Sequence, residues 1–305
     1  MNSPPRRRVA LLFAAAAWLA LGTTAAAASN SRVLQVVDDT GARLQLAAPA
    51  RRIVSLSPGA TEMLFAAGAG ERIVATVTGA DEPEAARKIP RIGDANALVY
   101  DRLLALKPDV IVIWKDLTHE LVIDSLVNKL KLPVYYVSVR SLQDIPQSVR
   151  RLGVLAGTSS VAEAAAVAMD RKIAQLPNPP RQGSGKTFSV FYMFWDVPLY
   201  TAGSRNVMSD AIRRCGGRNL YDDIDFPAPI VEFEDIKKRN PDVILMAAPP
   251  ITARDWRERW MKFPQVNAVA NRQLLNFVDL RLTHMGPGAI DAVPQLCAQL
   301  AKVPR

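Results

Sequence analysis

The sequence predicts an α/β protein of two similar lobes, each a parallel sheet with flanking helices, joined by one long connector helix. Three observations carry this. Short apolar runs that read as buried strands alternate with helical patterns over residues 52–139, and again from Phe188 onward. A helix-to-strand unit recurs: Tyr100-Asp101-Arg102-Leu103 before Pro108-Asp109-Val110-Ile111 aligns without a gap on Phe233-Glu234-Asp235-Ile236 before Pro241-Asp242-Val243-Ile244. Between the two stretches, residues 141–176 are rich in Ala, Leu, Val, Arg and Glu, with one internal break at Gly157-Thr158-Ser159.

The elements follow in chain order. Arg6, Arg7 and Arg8 precede an uncharged run from Val9 to Ala28 that closes on Ala25-Ala26-Ala27-Ala28. A basic segment, a short apolar core and a small-residue exit make a secretory signal peptide over residues 1–28, cleaved near Ala28. The apolar core, Val9 to Leu21, is shorter than the ~20 residues a membrane span needs. The arginine pair leaves the general and the folded-protein export routes both open. Cleavage lowers the formal charge of the 305-residue chain from +9 to +6, because three arginines and no acids leave.

The first lobe, residues 29–140, opens with a hairpin over Val33 to Leu46 that turns at Asp39-Thr40-Gly41. Arg52 to Leu56 reads as a strand, Ser57-Pro58 as a helix start and Gly68 as its stop. Strands at Ile73 to Val77, Val110 to Trp114 and Val134 to Val139 alternate with helices at Tyr100 to Leu106 and Leu121 to Leu130. Residues 141–176 form the connector, which as one helix would span on the order of 50 Å. The second lobe, residues 177–305, begins with the loop PNPPRQGSG and repeats the pattern: a strand at Phe188, then a serine-containing loop and a glycine-terminated helix over Ser204 to Gly217. Two related lobes on one connector leave a cleft, and small ligands favour such interfaces.

The chemistry is that of binding. With His119 and His284 as the only histidines, and with no G-x-S-x-G, H-E-x-x-H or S-x-x-K arrangement, no catalytic set stands out; the lower-ranked alternative is a secreted hydrolytic or metal-dependent enzyme. A metal site would have to combine both histidines with Asp81 or Asp279, and no metal is expected. The scattered basic residues and the destination outside the cytoplasm argue against nucleic acid. Cys215 and Cys297 are the only cysteines; an oxidising compartment favours a disulfide, with two buried thiols as the alternative.

The segments RIVSLSPGATEMLFAAGAGERIVATVTGADEPEAARKIPRIGDAN, YDRLLALKPDVIVIW and VEFEDIKKRNPDVILMA resemble the periplasmic substrate-binding proteins of ABC importers with a helical backbone. That group carries cobalamin, haem and ferric siderophores. The resemblance runs from about Arg51 to the end, implies the class III periplasmic-binding-protein fold, and is strongest toward the cobalamin-binding members. PLYTAGSRNVMSDAIRRCGGRNLYDD and AVPQLCAQLAKV are similar to their second-lobe motif and C-terminal helix, which implies a Cys215–Cys297 disulfide.

The resemblance also implies roles. Asp101 and Glu234, one per lobe, match the acids that dock this family onto arginines of the permease dimer. Trp114 and Tyr200 match aromatic cleft residues, whereas Gly79, Ala95 and Ala228 replace aromatic ones and Leu280 replaces an acid. Phe194, Trp195, Asp196 and Met285 offer different contacts. Haem carriers of the family offer a tyrosine to iron, for which Tyr192 and Tyr200 are the candidates; an anionic siderophore would use Lys115, Arg140, Arg205 and Arg281. The expected ligand set is therefore Ser57, Pro58, Asp81, Trp114, Lys115, Phe194, Trp195, Tyr200, Arg205, Arg281 and Met285. The expected protein is a periplasmic monomer without a cofactor of its own, whose cargo is a cobalamin-like corrinoid or, as the alternative, haem or a ferric siderophore.

Overall fold

The computed structural model describes Met1 and residues 33–94, 97–178 and 187–304. The signal segment over residues 2–28 and the position of Ala95 lie outside the described residues. The hairpin pairs Leu34–Val37 with Arg43–Leu46 antiparallel. Its turn is organised by Asp38, whose Oδ1 accepts from the Thr40 and Ala42 amides, while Gly41 takes a left-handed φ of +86°.

Two four-stranded parallel sheets follow. In the first, β1 (Ile53–Ser55), β2 (Ile73–Ala75), β3 (Val110–Trp114) and β4 (Val134–Val137) lie in the order β2-β1-β3-β4. In the second, β5 (Phe188–Met193), β6 (Gly217–Asn219), β7 (Val243–Met246) and β8 (Leu274–Asn276) lie in the order β6-β5-β7-β8. The two orders are the same permutation. The repeated unit occupies equivalent places: α2 (Tyr100–Ala105) leads into β3 as α6 (Phe233–Arg239) leads into β7.

Helix α1 (Pro58–Ala66) follows β1 and α5 (Val207–Arg214) follows β5. Each starts on a side-chain cap: Ser57 Oγ accepts the Ala60 amide at 3.0 Å, and Asn206 Oδ1 accepts the Met208 amide at 2.9 Å. The helix expected over Leu121 to Leu130 is α-helical over Glu120–Asp124 and widens into a π-turn over Ser125–Lys129.

The connector differs from the expected single helix. It is two helices, α3 (Asp144–Ala156) and α4 (Ser159–Gln175), folded back on each other. Gly157 ends α3 in the left-handed conformation (φ +67°), and the Thr158 amide returns to the Gly153 carbonyl at 2.8 Å, a closed helix end. The reason is burial. Ile145, Val149 and Leu152 on α3, with Ala162, Ala166 and Ile173 on α4, are all buried, and a reversal at Gly157 lets the two apolar stripes cover each other.

Three apolar clusters form the core. One packs the outer face of the first sheet and one the outer face of the second. The third is continuous between lobes: it joins Ile53, Val112 and Trp114 of the first sheet to Val190, Tyr192 and Leu245 of the second through α3, α4 and the C-terminal helix α8 (Pro287–Leu300). Cys215, at the end of α5, and Cys297, within α8, form the disulfide. Among the described residues no helix is long and apolar enough to cross a membrane.

Candidate functional site

Strand β5 sets the character of the cleft. All six of its residues are buried, and their alternation sends Phe188, Val190 and Tyr192 into the shared core and Phe191 and Met193 into the outer core of the second lobe. Beyond it the chain passes Phe194 and turns through a small ribbon in which Trp195–Asp196 pairs with Leu199–Tyr200. That return stacks Phe194 on Tyr200, with ring centres 6.1 Å apart, and sets Tyr192 at 5.8 Å from Phe194. The three rings make an aromatic ladder. Trp195 flanks it, 57% exposed, with its indole N–H donating to the Val197 carbonyl at 3.0 Å.

The ladder lines a cavity of about 500 Å³ between the lobes. Its opposite wall comes from Leu282, Thr283 and Met285, which precede α8, and its first-lobe side from Asp94 and Leu117. Met285 holds a left-handed φ of +56° and is buried. Burial drives the Tyr192 phenol well above its ordinary pKa, so it stays protonated. An apolar, ring-lined cavity with few polar groups fits one face of a large flat ligand.

A second, charged pocket of about 370 Å³ lies beside it. Lys115, Arg140, Arg151 and Arg205 meet Asp39, Asp116 and Asp144 there. Arg205 bridges the lobes, donating to Asp116 Oδ2 at 3.0 Å, and Ser138 Oγ donates to the same oxygen at 3.1 Å. Asp39 accepts from Ser138 N, Ser148 Oγ and Arg151, and burial outweighs those donors in raising its pKa. This carboxylate ties the N-terminal hairpin to β4 and the connector.

Of the expected ligand residues, Phe194, Trp195, Tyr200 and Met285 line the aromatic cavity. Lys115 and Arg205 line the charged pocket; Lys115 also lies 3.7 Å from Glu120 and over the Tyr136 ring. Ser57 is spent as a cap, and Pro58 sits beside Gly79. Asp81 pairs with Arg91 at 2.9 Å, and Arg281 makes a two-pronged bond to Asp279 at 2.8 and 2.6 Å. Trp114 is placed in the shared core, 3% exposed, with its ring beside Gly59 on α1.

Asp101 is exposed in the first turn of α2. Glu234 is exposed in the first turn of α6 and pairs with Lys237 at 2.6 Å. His119 caps its own helix by accepting the Leu121 amide, and His284 pairs with Glu62. Among the described residues no three His, Cys, Asp or Glu side chains group as a metal site.

Sequence reasoning missed Asp94, Leu117, Met208, Leu282 and Thr283, five residues whose place in the cavity depends on how the lobes meet. Asn206 also lines the cavity, and its signal was available as a helix-capping residue ahead of an apolar run.

Residues 53–275 match the family described as periplasmic binding protein. A vitamin B12-binding protein of Pectobacterium carotovorum is 30% identical over 250 residues, covering 82% of this chain and 88% of that protein. Among solved structures, the periplasmic vitamin B12 binding protein of Vibrio cholerae superposes with a TM-score of 0.69 at 27% identity, covering 83% of this chain and 97% of that one. A possible iron-binding, periplasmic solute-binding protein of Staphylococcus epidermidis gives 0.65 at 26% identity, covering 84% of this chain and all of that one.

Proposed function

Because the chain belongs to the periplasmic binding protein family, we propose that it is the solute-binding component of an ABC importer, working as a periplasmic monomer, and that its cargo is a cobalamin-type corrinoid. The observation that carries the ligand reading is the ladder Tyr192–Phe194–Tyr200 in the inter-lobe cavity of a chain whose relatives include vitamin B12-binding proteins. A corrin ring offers a broad apolar face, and stacked aromatic rings with flanking Trp195 are a surface suited to it. The cargo is carried unchanged, and the protein uses no cofactor of its own.

The second reading is haem or a ferric siderophore. It rests on the Tyr200 phenol in the cavity wall and on a neighbour named as possibly iron-binding. Titration of the mature protein with cyanocobalamin, haemin and a ferric siderophore, followed by visible absorbance, separates the two. Micromolar or tighter binding of cyanocobalamin supports the first reading; absence of binding at that concentration overturns it.

Delivery uses Asp101 and Glu234. They sit in the first turns of equivalent helices, one per lobe, and both are exposed. A pair of carboxylates so placed presents a permease with one negative charge per lobe, and charge complementarity sets orientation and on-rate. Asp101→Arg with Glu234→Arg is expected to abolish transport in cells while leaving ligand affinity unchanged. Lost affinity would place these acids in folding or ligand contact instead.

A further inference from the structure

Helices α1 and α5 hold the same place in their lobes, each between the first and second strands of its sheet, and each is followed by a glycine of left-handed φ, Gly68 and Gly216. Each also carries one buried acid about a turn past its cap. These are Glu62, five residues beyond Ser57, and Asp210, four beyond Asn206. Neither acid caps its own helix.

Glu62 crosses to the second lobe. Its Oε2 accepts the Gly288 amide at 3.2 Å, and its Oε1 meets His284 Nδ1 at 2.8 Å. Gly288 opens α8, whose cap residue Gly286 has no side chain to serve the free amides, so a first-lobe carboxylate serves one of them. The backbones run close: a Cβ on Gly59 would overlap the His284 carbonyl oxygen, and one on Gly286 would lie 2.7 Å from Glu62 Oε2. Asp210 reaches the other way. Its Oδ2 accepts the Leu142 amide at 3.2 Å, where the chain leaves the first sheet for α3, and Arg213 and Arg214 of its own helix balance its charge.

We propose that Glu62 and Asp210 are positioning residues that clamp the lobes reciprocally and thereby set the width of the ligand cavity. The contacts adjoin the cavity on both sides. Leu282, Thr283 and Met285, within six residues of Gly288, form one wall, and Met208, two residues from Asp210, lines the cavity as well. Neither acid is a lining residue of the cavity, so their effect on ligand passes through lobe spacing. The inference rests on the binding-protein reading but is indifferent to which cargo is carried.

The test is made first without ligand. Spin labels at Leu104→Cys and Glu258→Cys, both exposed and one per lobe, report the inter-lobe distance distribution. Glu62→Ala with Asp210→Ala is expected to broaden it, while Glu62→Gln, which keeps an acceptor for the Gly288 amide, restores a narrow one when paired with native Asp210. Ile236→Ala, a cavity made wholly inside the second lobe, destabilises the protein and leaves the distribution unchanged. Should the double variant not fold, Asp210→Ala alone carries the same reading. Against cyanocobalamin, a loosened clamp that leaves one molecule in ten in the competent spacing weakens apparent affinity about tenfold, because only that fraction of the free protein can bind. An unchanged distribution in the alanine variants overturns the clamp. Failure of native protein to bind cyanocobalamin overturns the corrinoid reading alone, because the ligand-free distances stand independently.

Discussion

The first lobe buries its strand-end aromatic, Trp114, in the core, whereas the second sends Phe194, Trp195 and Tyr200 into the cavity. Trp114 ends β3, whereas Phe194 follows β5. Both sheets have the same strand order, and Leu56 takes the place of Phe194 in the first lobe, so the cleft surfaces differ in the connection that follows β1 or β5. In the first lobe residues 56–57 join β1 to α1; in the second, residues 194–206 join β5 to α5. The longer connection has room for a ribbon that folds aromatic rings back over the cleft, and the shorter one has none. Duplicated lobes can therefore differ in role: one contributes little to the cavity, and the other supplies most of its lining.

Their fastening differs as well, and the largest expected effect addresses it. Helix α5 is tied covalently to α8 through Cys215–Cys297, a separation of 82 residues, whereas α1 is held by packing and the Glu62 contacts. Cys215→Ser with Cys297→Ser is expected to lower stability by about 4 kcal/mol in the chain-entropy model. Urea unfolding checks this, with the amide protection of α5 falling further than that of α1. Equal loss of protection in both helices would mean that the bridge serves the whole molecule.

Trp114→Ala is expected to destabilise by about 3–5 kcal/mol, the range for deleting a large buried aromatic. In the fraction that folds, ligand affinity should hold. A loss of affinity without loss of stability would return Trp114 to the cleft and erase the contrast between the lobes.

Phe194→Ala reverses that signature. Removing the middle ring of the ladder takes away both of its ring contacts, and aromatic pairs contribute about 0.5–1.5 kcal/mol beyond area, so cyanocobalamin affinity should fall about tenfold. Titration by absorbance measures it, with the urea midpoint shifting less than for Trp114→Ala.

The comparison also locates what was legible in the chain. The two sheets, the capped start of α1 and the helix-to-strand repeat are legible because each is a local pattern: an apolar run, an N-cap, a Pro-Asp boundary. The connector was misjudged although its evidence was present. Gly157-Thr158-Ser159 has the residue types of a helix stop followed by a new start, but apolar periodicity on both sides reads the same for one long helix as for two that cover each other. The burial of Trp114 is a separate matter: whether a strand-end ring faces a cleft or a core depends on what packs against it, and the shared core that covers Trp114 is assembled only through the fold. Tyr200 is singled out by the family resemblance and Phe194 and Trp195 as aromatic residues near it, while Leu117, Leu282 and Thr283 carry no signal without the lobe interface.

The smallest expected effects concern pH, and here two acids at different places pull in opposite directions. Asp279, following β8, is held below the ordinary carboxylate value of 3.8, first by hydrogen bonds from Arg281 and then by its charge. A depressed folded value means that its contribution is fully present above 3.8 and is lost as pH falls through the depressed value. Asp39, which ties the hairpin to β4 and α3, is raised above 3.8 by burial despite its donors. Its folded form favours the proton, so stability from this site is greatest below 3.8 and declines as pH rises through the raised value. Urea midpoints measured from pH 3 to pH 6 should thus change slope in separate ways: Asp279→Asn flattens the loss at the acid end and Asp39→Asn flattens the decline above 3.8. A common change in both variants would show that the two ends titrate as one unit, which the continuous core between the lobes permits but the separate placement of these carboxylates does not predict.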